Sequence, residues 1–196
     1  MLPFLTDAAL AFGAVFVAEF GDKSQLLILA FATRYRATPV IIGLVLAAAA
    51  IQGLSVAVGA LAGAAMPDTV VGIVSGVAFL GVAAWTLRGD DDDAAAETSH
   101  ASRNRLAGSA LVLTVAGTFV LSELGDKTML ATFALAASNG AVPTWIGSTG
   151  GEIAANLVAV AVGRQIGTRI PARLIRIGSA ALFAIAGIAV LVGTMA

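Results

Sequence analysis

The sequence predicts an all-α integral membrane protein of six transmembrane helices, arranged as two inverted three-helix repeats, and three observations predict it. Hydrophobic residues make up 59% of the 196 positions and charged residues only 12%, about half the charged share of an ordinary soluble domain. The apolar residues gather into stretches of about 20, the length that a bilayer core of about 30 Å requires. A charged motif inside the first stretch returns 104 positions later inside the fourth. A water-soluble fold of this size lacks the core volume to hide so much Leu, Val, Ile and Ala.

In chain order the expected spans run about 8 to 33, 39 to 64, 69 to 88, 107 to 137, 142 to 163 and 174 to 194. The first and fourth are long and contain charges. Between the third and fourth, Arg88 to Arg105 carries Asp90, Asp91, Asp92, Asp93, Glu97, His100, Arg103 and Arg105. Acidic runs of this kind are solvated linkers, so residues 1–88 form one repeat, 89–105 an acidic cytoplasmic linker and 106–196 the second repeat. Met1 to Asp7 lacks the basic start of a cleavable signal, so the first helix is expected to act as its own insertion signal.

All nine arginines sort to one side of this topology. Arg34 and Arg36 follow the first span, Arg88, Arg103 and Arg105 the third, and Arg164, Arg169, Arg173 and Arg176 the fifth. Basic residues collect in cytoplasmic loops, which predicts a multi-pass protein of the cell inner (plasma) membrane with both termini non-cytoplasmic.

The repeat is read from Glu19-Phe20-Gly21-Asp22-Lys23-Ser24, which recurs as Glu123-Leu124-Gly125-Asp126-Lys127-Thr128. The same offset pairs Gly43 with Gly147, Gly59 with Gly163, Gly63 with Gly167, Pro67 with Pro171, Ser75 with Ser179 and Phe79 with Phe183. Three spans per copy is an odd number, so the second copy enters the bilayer from the opposite face. Inverted repeats with interrupted helices meeting at the midplane are the architecture of secondary transporters.

Six charged residues lie in these two motifs, and an Asp or Lys at a helix centre costs about 2.5 to 3.5 kcal/mol to insert. They are therefore expected to face each other. On a regular helix Glu19 and Asp22 share a face, as do Glu123 and Asp126, while Gly21 weakens the helix between its pair. Bringing both faces together gathers four carboxylates, with hydroxyls from Ser24 and Thr128, into an oxygen cage suited to a hard divalent cation such as Mn²⁺ or Ca²⁺. Lys23 and Lys127 each follow a motif Glu by four positions, the favourable order for a counter-ion on the same helix. Four adjacent carboxylates resist simultaneous ionisation, so an empty site holds protons that an incoming cation displaces. Expelling a divalent cation against an inside-negative potential costs about 4.6 kcal/mol per 100 mV, which returning protons offset.

These two motifs resemble the E-x-G-D-K-[ST] signature of the Golgi calcium/manganese-proton exchangers and bacterial manganese exporters, and the resemblance covers essentially the whole chain. It implies transport of Mn²⁺ or Ca²⁺ against H⁺, with Glu19, Asp22, Glu123 and Asp126 binding the cation and no resident cofactor. Gln25 fits the continuation of the first motif, whereas Met129 stands in its place in the second. A thioether is a poor ligand for hard cations, so symmetric ligation there is not expected. The chain's length and lack of a targeting segment favour Mn²⁺ export.

Further candidates lie outside the motifs. Gln52 and Asn156 are related by the 104-residue offset and offer amide oxygens mid-span; interhelical hydrogen bonding is the commoner use of such amides. Glu152 has no acidic counterpart, its partner being Ala48, and is a candidate for the proton pathway. Gly59, Gly63, Gly163 and Gly167 have the spacing of close helix packing.

Other classes are excluded by what is missing. No cysteine is present and the single His100 sits in the linker, so thiolate sites, histidine metal sites and a Ser-His-Asp triad are not available in the membrane. A net charge of −1 with no basic stripe gives no reason to expect nucleic acid. The expected partners are a divalent metal ion, protons and the lipid bilayer, with a homodimer left open. An acidic-lined passive cation channel and a small-solute exporter of related architecture stay open as alternatives, while an intramembrane hydrolase, and with it an enzyme, is not expected because no nucleophile accompanies the carboxylates.

Overall fold

The computed structural model describes residues 2–19, 22–88, 108–165 and 172–195. These are helical and contain no strand. The helices are α1 (Leu2–Glu19), α2 (Lys23–Arg34), α3 (Ala37–Ala65), α4 (Asp68–Arg88), α5 (Gly108–Glu123), α6 (Lys127–Ser138), α7 (Ala141–Gln165) and α8 (Ala172–Met195). The linker with Asp90 to Asp93 and His100 lies outside the described residues, as do Gly21, Gly167 and Arg169.

Four of the expected segments coincide with α3, α4, α7 and α8 to within a few residues. The other two do not run through as single helices. Segment 107 to 137 is α5 and α6, set at 76° to each other, and segment 8 to 33 is α1 and α2, with α1 starting already at Leu2. The cause is local. Gly125 ends α5 in the left-handed region at φ +79, which an L side chain adopts only at a cost. Asp126 then turns extended, at φ −77 and ψ 169, and α6 starts at Lys127. An equivalent hydrogen bond spans each break: the Asp22 amide donates to the Glu19 carbonyl at 3.2 Å, and the Asp126 amide to the Glu123 carbonyl at 3.1 Å.

The solvent-facing surface is apolar and part of the interior is polar. Leu61, Leu113 and Leu121 are each at least 70% exposed, while Glu19 and Glu152 are completely covered. That distribution is stable only where the surroundings are hydrocarbon. Leu2–Glu19, Ala37–Ala65 and Asp68–Arg88 are each long and apolar enough to cross a membrane, and the bent pair α5–α6 makes a fourth candidate span among the described residues.

Packing follows the sequence repeat. Helix α1 lies against α7, its counterpart α5 lies against α3, and α4 pairs with α8. Two glycines set the first two contacts. A Cβ on Gly147 would run into the Ala8 carbonyl and Ala11, and one on Gly43 would come within 2.9 Å of the Val112 carbonyl and 2.7 Å of Val115. Val112 and Val115 are the 104-residue counterparts of Ala8 and Ala11, so the two contacts are copies of one another. Between α4 and α8 the counterparts Phe79 and Phe183 stack, with ring centroids 6.0 Å apart. Gly59 and Gly63 let α3 approach α6, since a Cβ at either would strike the Phe133 or Ala137 carbonyl, as the small-residue spacing predicts; Gly163 and Gly167 lie outside the described side chains.

Candidate metal centre

Because both breaks fall inside the bundle, each leaves a Glu at the end of one helix and an Asp at the start of the next. Glu19 closes α1 and Asp22 precedes α2; Glu123 closes α5 and Asp126 precedes α6. The expectation that each Glu–Asp pair shares the face of one regular helix is therefore corrected: each pair is held by a turn. All four are buried, at 0%, 4%, 1% and 4% exposure respectively. One carboxylate oxygen from each of Glu19, Asp22 and Asp126 lies within 4.8 Å of the other two. Both halves of the chain thus contribute to one cluster. Glu123 is outside this closest group, but its carboxylate stands in the field of Glu19, Glu152, Asp126 and Asp22.

The motif hydroxyls orient the glutamates. Ser24 donates to Glu19 Oε2 at 2.7 Å, and Thr128 donates to Glu123 Oε2 at 3.3 Å, again as repeat counterparts. The other oxygens, Glu19 Oε1 and Glu123 Oε1, are buried without a hydrogen-bond partner among the described residues. A buried oxygen without a donor is costly, and a cation or a proton removes that cost.

Lys127 does not behave as the four-residue spacing predicts. Lys127 Nζ pairs with Asp22 Oδ2 of the other repeat at 3.1 Å, and it also faces Asp126 and Glu19. The break before α6 is the reason: Glu123 ends α5, so the helical geometry that would align it with Lys127 does not exist. The Lys23 side chain lies outside the described residues.

Glu152 joins the cluster from α7. It is fully buried, accepts a hydrogen bond from Gln52 Nε2 across to α3, and stands in the field of Asp126 and Glu19. Gln52 Oε1 and Glu152 Oε1 have no partner among the described residues. Asn156 donates to the Glu152 carbonyl at 3.0 Å, one turn along the same helix. Gln25 Nε2 donates to the Ala155 carbonyl at 3.4 Å, while Met129 Sδ accepts from the Gly125 amide at 3.5 Å. The two positions thus differ in contact as well as in chemistry.

Sequence reading passed over Thr132, Thr144 and Ser148, all fully buried. Their counterparts are Ile28, Val40 and Leu44, so the repeat that exposed the motif residues concealed these; for Thr144 and Ser148 the four-residue spacing to Glu152 on α7 was the available signal.

A helical membrane protein with buried carboxylates contributed by two related halves has the layout of an ion-coupled secondary transporter. The chain belongs to the divalent cation/proton antiporter GDT1 family, whose pattern it matches over residues 7–94 and 111–196. It is also 33% identical, over 184 residues, to a Vibrio cholerae serotype O1 protein named "Putative manganese exporter", across 92% of this chain and 88% of that protein. No solved structure matches the chain. The family is one of transporters, not of enzymes.

Proposed function

We propose that this chain exports a divalent cation, Mn²⁺ in preference to Ca²⁺, in exchange for protons, using one site built from Glu19, Asp22, Glu123 and Asp126 with Glu152 beside them. The observation that carries this reading is the approach of Glu19, Asp22 and Asp126 to within 4.8 Å in a buried setting. An all-oxygen site suits a hard cation, and the name of the Vibrio cholerae relative favours Mn²⁺. The site alternates between a metal-loaded and a proton-loaded state, since a bound cation and bound protons offset the same carboxylate charge and so compete. The six spans form two inverted repeats in the inner membrane with both termini non-cytoplasmic; the duplicated helix breaks and the paired glycine contacts support the repeat, and the one-sided arginines support the orientation.

Reconstituted vesicles test it. Wild type is expected to accumulate Mn²⁺ when a pH gradient is imposed and to reverse direction when the gradient is reversed, whereas Asp22→Asn and Glu19→Gln lose gradient-driven transport by about tenfold or more, on the scale of damage to a metal site. Retention of gradient-driven transport in Asp22→Asn rules out the site. Mn²⁺ flux indifferent to the gradient makes the protein a passive channel.

A further inference from the structure

Helix α7 departs from its repeat counterpart α3 in one systematic respect. Thr144, Ser148, Glu152 and Asn156 follow one another at four-residue intervals, the spacing of a single ridge along a helix. All four are completely buried. Their counterparts on α3 are Val40, Leu44, Ala48 and Gln52, at 1% exposure or less, so the two ridges occupy equally covered places and differ in chemistry. The α3 ridge is apolar from Val40 through Ala48 and polar only at Gln52, whereas the α7 ridge is polar along its whole length.

Buried Ser and Thr in membrane helices ordinarily satisfy themselves by donating to the carbonyl one turn back. Ser148 does something of this kind, donating to the Trp145 carbonyl at 3.3 Å. Thr144 does not: its Oγ1 has no partner among the described residues, nor do Glu152 Oε1 and Asn156 Oδ1. Three unpartnered oxygens on one covered ridge mark a place where water is the missing partner. The ridge starts in the first turn of α7, beside the Asn139–Gly140 connection from α6, and reaches the carboxylate cluster at Glu152, about 12 Å further along at 1.5 Å per residue.

We propose that the α7 ridge Thr144–Ser148–Glu152 is the aqueous access route between the carboxylate site and the α6–α7 end of the bundle. It is closed in the conformation described and fills with water when that end opens. The equivalent ridge on α3 is apolar and forms no such route, so access from the opposite face runs elsewhere. The inference builds on the exchange proposed above, in which this route carries protons and the cation on the non-cytoplasmic side.

The chain has no cysteine, so single-cysteine labelling tests the route directly. In vesicle-reconstituted protein, Ser148→Cys and Thr144→Cys should react with a water-soluble, membrane-impermeant thiol reagent added on the α6–α7 side at least about tenfold faster than Leu44→Cys and Val40→Cys react with the same reagent added on the α2–α3 side. Saturating Mn²⁺ should alter the rate at Ser148→Cys, next to the site. Equal labelling of the two ridges, or none at positions 144 and 148, overturns the proposal. Thr→Cys and Ser→Cys are small changes, and a melting temperature and size-exclusion profile matching wild type identify both variants as folded. Because labelling reads water and transport reads cation exchange, a wild type that moves no Mn²⁺ sinks the exchange reading, whereas folded variants that stay unlabelled sink only the route.

Discussion

At the scale of single residues, the arrangement turns on where a charge finds its partner. Lys127 neutralises Asp22 across the two halves, so it ties them together as well as offsetting charge. Removing one member of a buried pair leaves the other uncompensated, at a cost of about 3 to 5 kcal/mol. Lys127→Gln is therefore expected to lower the melting temperature of purified protein strongly at neutral pH, while Lys127→Arg, which keeps the charge, remains near wild type. A Lys127→Gln protein as stable as wild type would show that the pair is not important to the fold. Glu152 makes a related point. The sequence marks it as a mid-span carboxylate without an acidic counterpart, and only the packing of α7 against α1, α2 and α6 brings it into the field of Glu19 and Asp126.

At the scale of elements, the deciding feature is the broken helix. A continuous α5–α6 helix would carry Glu123 and Asp126 on its side; the break carries them at helix ends, beside the backbone of the turn. Gly125 holds that turn at φ +79 with no neighbour within reach of an added Cβ, so conformation alone requires glycine there. Gly125→Ala is expected to cost about 1 to 2 kcal/mol of backbone strain and to reduce Mn²⁺ transport by displacing Asp126, measurable by thermal unfolding and vesicle flux together. If Gly125→Ala matches wild type in both, the left-handed turn does not govern the site. The spacing of Glu and Asp alone could not reveal this break, because the same three-residue interval also suits an unbroken helix; glycine in the motif was the only hint.

At the scale of the whole molecule, the prediction is topological. If the arginine-bearing loops face the cytoplasm as proposed, Arg36→Cys is labelled by an impermeant thiol reagent only after cells are opened and Asp68→Cys is labelled on intact cells; both positions are exposed. The reverse pattern would invert the assigned orientation. What the sequence by itself determined was the helical class, the need for lipid, the duplication and the four motif carboxylates, because composition, periodicity and an exact offset are properties of the chain that hold whatever its neighbours are. What only the tertiary structure decided was which groups meet: Lys127 with Asp22 instead of Glu123, Glu152 with the motif residues, and a polar ridge on α7 facing the interior. Those outcomes depend on the angle at two helix breaks and on which helices come close, and a repeat read along the chain says where copies agree but not where their differences are gathered.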